Sequence, residues 1–159
     1  LHTERINKWL TLLANFGVLV GIIFLAVEVR QSNRIAIATT EISVRDQFKT
    51  NNELVLANDA VAELLVKAAD ADAEFSAVET EKLYAYLYAH INTWMSIEIA
   101  YENGMLPRAT FEVALDDVRG VLQDYPALQP LVRETMGSFP SVTDSHVYAA
   151  MREVLEDID

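Results

Sequence analysis

The sequence predicts an all-α protein in which an N-terminal transmembrane helix continues into a small helical bundle of about five to six helices. Three observations carry this expectation. The stretch Trp9 to Val27, WLTLLANFGVLVGIIFLAV, holds nineteen consecutive residues without a formal charge. No glycine or proline stands between Gly21 and Gly104, so the strongest chain breakers are absent for 82 residues. Further on, apolar residues recur at helical spacing, and no run alternates with period two over a strand's length.

At about 1.5 Å of rise per residue, nineteen residues of helix cover about 28 Å, close to the hydrocarbon thickness of a bilayer. Arg5 and Lys8 before the stretch, and Arg30 and Arg34 after it, suit headgroup contacts, and Trp9 suits an interfacial aromatic. Two competing readings are a buried core helix, diluted by Thr11, Asn15, Gly17 and Gly21, and a signal peptide. Against the second, the apolar run flows into Glu28-Val29-Arg30-Gln31 without a small-residue cleavage pattern. Orientation is undecided, with two cations on each side. Leu1 stands where an initiator methionine would, consistent with a fragment or a processed product.

The expected organisation is a lead and anchor over residues 1–30 and an acidic helical-bundle domain over residues 31–159. From Asp46 to Asp159 there are 21 acidic and 7 basic residues, a balance of −14 against −12 for the whole chain. Such a surface repels phosphate backbones and anionic headgroups, which argues against nucleic-acid binding and for a domain that projects from the bilayer. With no cysteine, disulfides, thiolate metal sites and thiol nucleophiles are excluded.

A helical lead begins near Thr3, and the span is expected to run unbroken to about Leu56. Beyond the span this helix carries two apolar faces, Ile35, Ala38, Ile42 and Leu56 on one and Ile37, Val44, Phe48 and Val55 opposite. One face serves the domain's own core, and the other needs a second cover, from another helix of this chain, the commoner outcome, or from a second copy; the face expected to stay exposed is that of Ile37, Val44 and Phe48. Asn58 or Asp59 caps a short helix with Val61, Leu64, Leu65 and Ala68 on its apolar side. Asp70 to Phe75 reads as a loop. Ser76 and Glu79 form a capping box at the start of a helix over about Ala77 to Asn103, closed by Gly104.

That helix is apolar around most of its circumference, through Leu83, Tyr84, Leu87, Tyr88, Ile91, Trp94, Met95, Ile97, Ile99 and Tyr101, and belongs in the middle of a bundle. Pro107 and Thr110 mark the next helix, with a stripe of Phe111, Ala114, Leu115, Val118 and Leu122 ending before Pro126. Pro126, Pro130 and Pro140 divide the remainder into helices over about Leu128 to Met136 and about Thr143 to Asp157, separated at Gly137-Ser138. The terminal helix buries Val147, Met151, Val154 and Leu155.

One candidate ligand site stands out on the central helix, where His90, Trp94, Glu98 and Tyr101 share a stripe. The two polar groups lie about 12 Å apart along the axis, too far to share a proton but able to flank a ligand. The alternative is that Arg45 or Arg119 from neighbouring helices satisfies them. No catalytic residue, metal site or cofactor is expected. A di-iron bundle needs Glu three residues before each His, where Leu87 and Thr143 stand, and phosphate loops, nucleophile elbows and H-E-x-x-H are missing from the sequence. In the span, Gly17 and Gly21 form a G-x-x-x-G pair that allows a second helix to approach closely.

Two stretches resemble a known group. A-N-F-G-V-x-x-G-I-I-F-L-A-x-E-x-R-Q, from Ala14 to Gln31, resembles the anchor of small uncharacterised bacterial proteins. W-x-x-x-E-x-x-Y-x-x-G-x-L, carried by Trp94, Glu98, Tyr101, Gly104 and Leu106, resembles their central helix and its exit. The resemblance implies a single-span, membrane-anchored helical protein of the bacterial inner membrane, and brings no activity or cofactor. The expected partners are the lipid bilayer and either a second copy or a partner membrane protein, in a scaffold or accessory role. The alternative function is a ligand-binding or enzymatic bundle with its pocket at His90, Trp94 and Glu98.

Overall fold

The computed structural model describes residues 2–138 and 144–156. Among these, six α-helices and one 3-10 turn account for the regular structure, and no strand occurs. The helices are α1 (His2–Leu56), α2 (Asp59–Ala68), α3 (Ala77–Glu102), α4 (Arg108–Asp124), α5 (Gln129–Ser138) and α6 (His146–Glu156), with the 3-10 turn at Pro126–Leu128. Pro140, Thr143 and Asp157, expected as a separator and as the bounds of the last helix, lie outside the described residues.

The chain divides into two compact units, Leu1–Thr39 and Thr40–Asp159. The first consists of the N-terminal part of α1. Its most apolar window has mean hydropathy 2.5, and none of that window is buried. Every side chain from Trp9 to Val27 is exposed, and the positions a Cβ would take on Gly17 and Gly21 meet open space. The Thr11 hydroxyl donates to the Asn7 carbonyl at 2.9 Å, so this polar side chain is satisfied within its own helix.

In the second unit, the end of α1 buries Val44 and half-buries Phe48 and Val55, while Ile42 and Leu56 are exposed. This reverses the expected assignment of the two α1 faces. Val44 and Phe48 pack with Ile97 of α3, Leu106, and Phe111 and Ala114 of α4, so the covered face is theirs. The uncovered side chains are Ile35, Ala38, Ile42 and Leu56. Ile37 is half-buried.

The main core gathers Leu64 and Ala68 of α2, Leu83, Leu87, Ile91 and Trp94 of α3, Val118 and Leu122 of α4, Val132 of α5 and Val147 and Met151 of α6. Phe48 touches both this core and the smaller one under α1. Each large aliphatic side chain fully buried here contributes about 1.5–3 kcal/mol relative to its exposed state. The expected middle position of α3 holds on its buried stripe, against α2, α4 and α6. Tyr88 and Ile99, counted as part of an all-round apolar surface, are exposed instead.

Helix ends follow local chemistry. Asn58, rather than Asp59, caps α2, its Oδ1 accepting from Ala60 N–H at 3.2 Å. The capping box of α3 is complete: Ser76 N–H donates to Glu79 Oε2 at 2.8 Å, and Glu79 N–H donates to Ser76 Oγ at 3.3 Å. Lys67 Nζ adds an ion pair to Glu79 Oε1 at 2.9 Å, fastening the end of α2 to the start of α3. At the other end of α3, Gly104 N–H reaches the Tyr101 carbonyl and Met105 N–H the Ala100 carbonyl, both at 2.9 Å. This Schellman arrangement needs a left-handed residue, and Gly104 supplies it with φ of 69°. In α5 the helix runs through Gly137 to Ser138, past the break expected there.

Candidate functional site

The stripe of His90, Trp94, Glu98 and Tyr101 occupies the inner side of α3, where its spacing put it on one face. His90, Trp94 and Glu98 are buried and Tyr101 is half-buried. Their polar atoms are engaged within the protein. The Trp94 indole N–H donates to Asp117 Oδ2 of α4 at 2.8 Å, with its ring completely out of solvent. His90 Nδ1 contacts the Tyr86 carbonyl one turn earlier at 3.0 Å, and its ring lies between those of Tyr86 and Trp94, with centroids 4.3 and 5.6 Å away. Burial pushes the His90 imidazole below its ordinary range, so the neutral form is favoured. Tyr101 stacks on Phe111 with ring centroids 4.4 Å apart and planes within 8°.

Glu98 has the most exacting position. Only 2% exposed, it meets the first turn of α6, where Oε1 accepts from the His146 backbone N–H at 2.6 Å and Oε2 from the Val147 N–H at 3.2 Å. The His146 ring Nδ1 is 3.1 Å from Oε1. The free N–H groups at a helix start and the positive end of its dipole stabilise a carboxylate, so a residue on α3 serves as a cap for α6. The expected cations are not the partners. Arg119 is committed to Glu153 at 2.9 Å and Asp116 at 3.3 Å.

Glu98, Glu102 and His146 also place three ligand atoms within 4.8 Å of one another, the spacing a cation would need. The chemistry opposes one there. The Glu98 oxygens already accept N–H bonds, and the positive end of α6 faces the same point. Taken together, the stripe joins α3 to α4 and α6 through polar bonds inside an apolar core, which is a positioning role.

A different feature lies where α1 and α3 run side by side in the second unit. Asp46, Thr50 and Asn51 of α1 and Asn92, Thr93 and Ser96 of α3 line an open groove of about 420 Å³. Beneath it Asn51 and Thr93, both buried, replace the apolar contacts found elsewhere between helices, with Asn51 Nδ2 donating to Thr93 Oγ1 at 3.1 Å. Sequence periodicity missed this pair, as it missed Asp117 and His146. The signal available for Asp117 was its place three residues from Ala114, on the flank of the α4 stripe.

In the first unit, Gly17 and Gly21 present the smallest cross-section of an exposed apolar helix. Comparison of the chain with models of known families, with curated proteins and with solved structures finds no match.

Proposed function

We propose that the chain is a single-pass membrane protein whose acidic helical bundle serves as an interaction or scaffold module, as an oligomer or as an accessory subunit of a membrane complex. The observation that carries this reading is the complete exposure of the apolar stretch Trp9 to Val27 in the folded chain. A core helix of a soluble protein would be covered. Soluble monomers rarely expose apolar patches beyond a few hundred Å², and at about 25 cal/mol per Å² such a surface strongly favours transfer out of water. Lipid satisfies the whole circumference at once, because the backbone polar groups of a helix are already paired internally.

The assignment to a bacterial inner membrane rests on the resemblance of Ala14 to Gln31 and of Trp94 to Leu106 to small bacterial anchored proteins. The interaction role rests on two uncovered surfaces, the Gly17 and Gly21 pair in the span and the outward Ile35, Ala38, Ile42 and Leu56 on α1. The bundle's charge, with acidic groups far outnumbering basic ones, keeps it in water beside an anionic bilayer.

Fractionation followed by crosslinking and mass measurement in mild detergent tests both halves. The expected result is retention in the membrane pellet after alkaline washing, with an intact N-terminus, and a species heavier than one chain. Recovery as a compact monomer in the aqueous fraction overturns the location. An N-terminus cut beyond Val27 replaces the anchor with a signal peptide. A strictly monomeric species without a co-purifying partner overturns the interaction role.

A further inference from the structure

We propose that Arg30 and Arg34 of α1 form a headgroup site for an anionic phospholipid, their two guanidinium groups closing on one phosphate. The inference rests on the membrane reading and goes beyond it, because apolar side chains do not discriminate between headgroups. Its first support is exposure. Residues 28–35 continue the helix past the apolar stretch for about two turns with every side chain exposed, and burial begins only at Ala36 and Ile37. Six of those eight residues are polar or charged, so the segment is neither more span nor a covered surface.

Arg30 and Arg34 stand at the i, i+4 spacing that places two side chains one above the other on a helix. Neither has a carboxylate of its own unit within reach. Glu28 lies two residues from Arg30 and six from Arg34, about 160° and about 120° around the helix from them, and the other acidic residue of Leu1–Thr39 is Glu4, before the apolar stretch. That unit holds 4 basic to 2 acidic residues, whereas from Thr40 onward there are 8 basic to 22 acidic. The cations of this acidic protein are therefore in excess where the chain leaves the apolar stretch.

Depth selects the ligand. At about 1.5 Å per residue, Arg30 is about 4.5 Å and Arg34 about 10.5 Å beyond Val27, and the headgroup layer on each side of a bilayer is about 5–8 Å thick. Helical side chains lean toward the N-terminus of their helix, which from this side is toward the bilayer, so Arg34 reaches back into the layer that Arg30 already occupies. Arg5 and Lys8, before the stretch, lean away from it. A guanidinium presents paired donors that match two phosphate oxygens, and two guanidinium groups one turn apart suit a phosphate that carries no cation of its own. The phosphate of a zwitterionic lipid is already accompanied by an ammonium, which the second arginine repels.

Native mass spectrometry of the full chain in neutral detergent, titrated with phosphatidylglycerol or with phosphatidylcholine of the same acyl chains, tests the site. One phosphatidylglycerol per chain is expected, bound about tenfold or more tightly than phosphatidylcholine. Arg30→Gln combined with Arg34→Gln should erase that preference. Arg5→Gln combined with Lys8→Gln, which removes the same charge before the stretch, should leave it within about twofold. All four positions are exposed, and circular dichroism establishes that each variant keeps its helicity. Equal uptake of the two lipids by the wild type overturns the headgroup site and leaves the membrane reading standing. Equal loss of preference in the two variant pairs means attraction to cations in general and also overturns it. A chain that stays dispersed without detergent and takes up neither lipid removes the membrane reading, and the site with it. A heavier assembly that needs Arg30 and Arg34 but no lipid assigns the pair to carboxylates of a second copy and overturns the lipid site.

Discussion

The Glu98 carboxylate of α3 accepts the His146 backbone N–H at 2.6 Å, so the first turn of α6 is held by a side chain 48 residues earlier in the chain. Two main-chain donors and one ring nitrogen depend on that carboxylate. Glu98→Ala should therefore lower unfolding stability by about 2–4 kcal/mol, since a cap and a buried charge-assisted bond are removed together. Glu98→Gln retains one acceptor oxygen and should lose about half as much. Urea denaturation measures the loss, and hydrogen exchange at His146 and Val147 localises it. Unchanged protection of those two amides in Glu98→Ala would contradict the capping role.

Thr135 of α5 is 2% exposed and its hydroxyl has no hydrogen-bond partner among the described residues. Valine has nearly the same shape without the unsatisfied group. Thr135→Val should raise stability by about 1 kcal/mol, seen as a higher denaturation midpoint with an unchanged slope. A loss of stability would mean that the hydroxyl has a partner in solution.

At the start of α3, the Ser76 backbone N–H, the Lys67 ammonium and the Ser76 hydroxyl, in that order, hold the Glu79 carboxyl down from 4.5 to about 2. A carboxyl with a depressed folded pKa binds fewer protons folded than unfolded. Its support of the helix start is complete above pH 4.5 and is lost as pH falls toward 2. Wild type and Glu79→Gln should differ in exchange rates of the first-turn amides at neutral pH and converge across that window. A difference that persists below it would rule out ionisation as the cause.

His90 titrates in the opposite chemical sense but gives the same pH trend. Burial lowers its folded pKa below 6.5, so the unfolded chain takes up a proton that the folded chain refuses. Stability is unaffected above pH 6.5 and falls as pH drops from there toward the folded value. Replacing His90 by Gln should flatten the denaturation midpoint between pH 7 and about 5.5, a range in which ordinary carboxylates titrate little. Equal slopes for both proteins would show that His90 accepts its proton without cost.

Much of the fold was legible because its determinants are local. The run without glycine or proline after Gly21 reads directly as long helices, and Ser76 with Glu79 marks a helix start from three residues of spacing alone. What periodicity could not supply is the identity of the neighbour. It identified both apolar faces of α1 but not that Val44 and Phe48 would meet Ile97 and Phe111, which is set by packing between distant segments. It grouped His90, Trp94 and Glu98 on one face, yet their meaning changed once Asp117 and the α6 start came to meet them. A shared face is a statement about one helix, whereas a pocket or a cap is a statement about two. The groove between α1 and α3 was missed for a related reason, since Asn51 and Thr93 are unremarkable apart and informative only as a pair.

The chain's two tryptophans fall one in each unit and in opposite surroundings. Trp9 is 65% exposed on the apolar helix, and Trp94 is wholly enclosed with its indole N–H on Asp117. Each unit thus carries its own optical reporter. With Trp94 replaced by Phe, emission and quenching depth from Trp9 follow how the apolar segment meets lipid or detergent. With Trp9 replaced by Phe, the blue-shifted emission of Trp94 follows melting of the bundle core, and the pair of variants times the two processes separately.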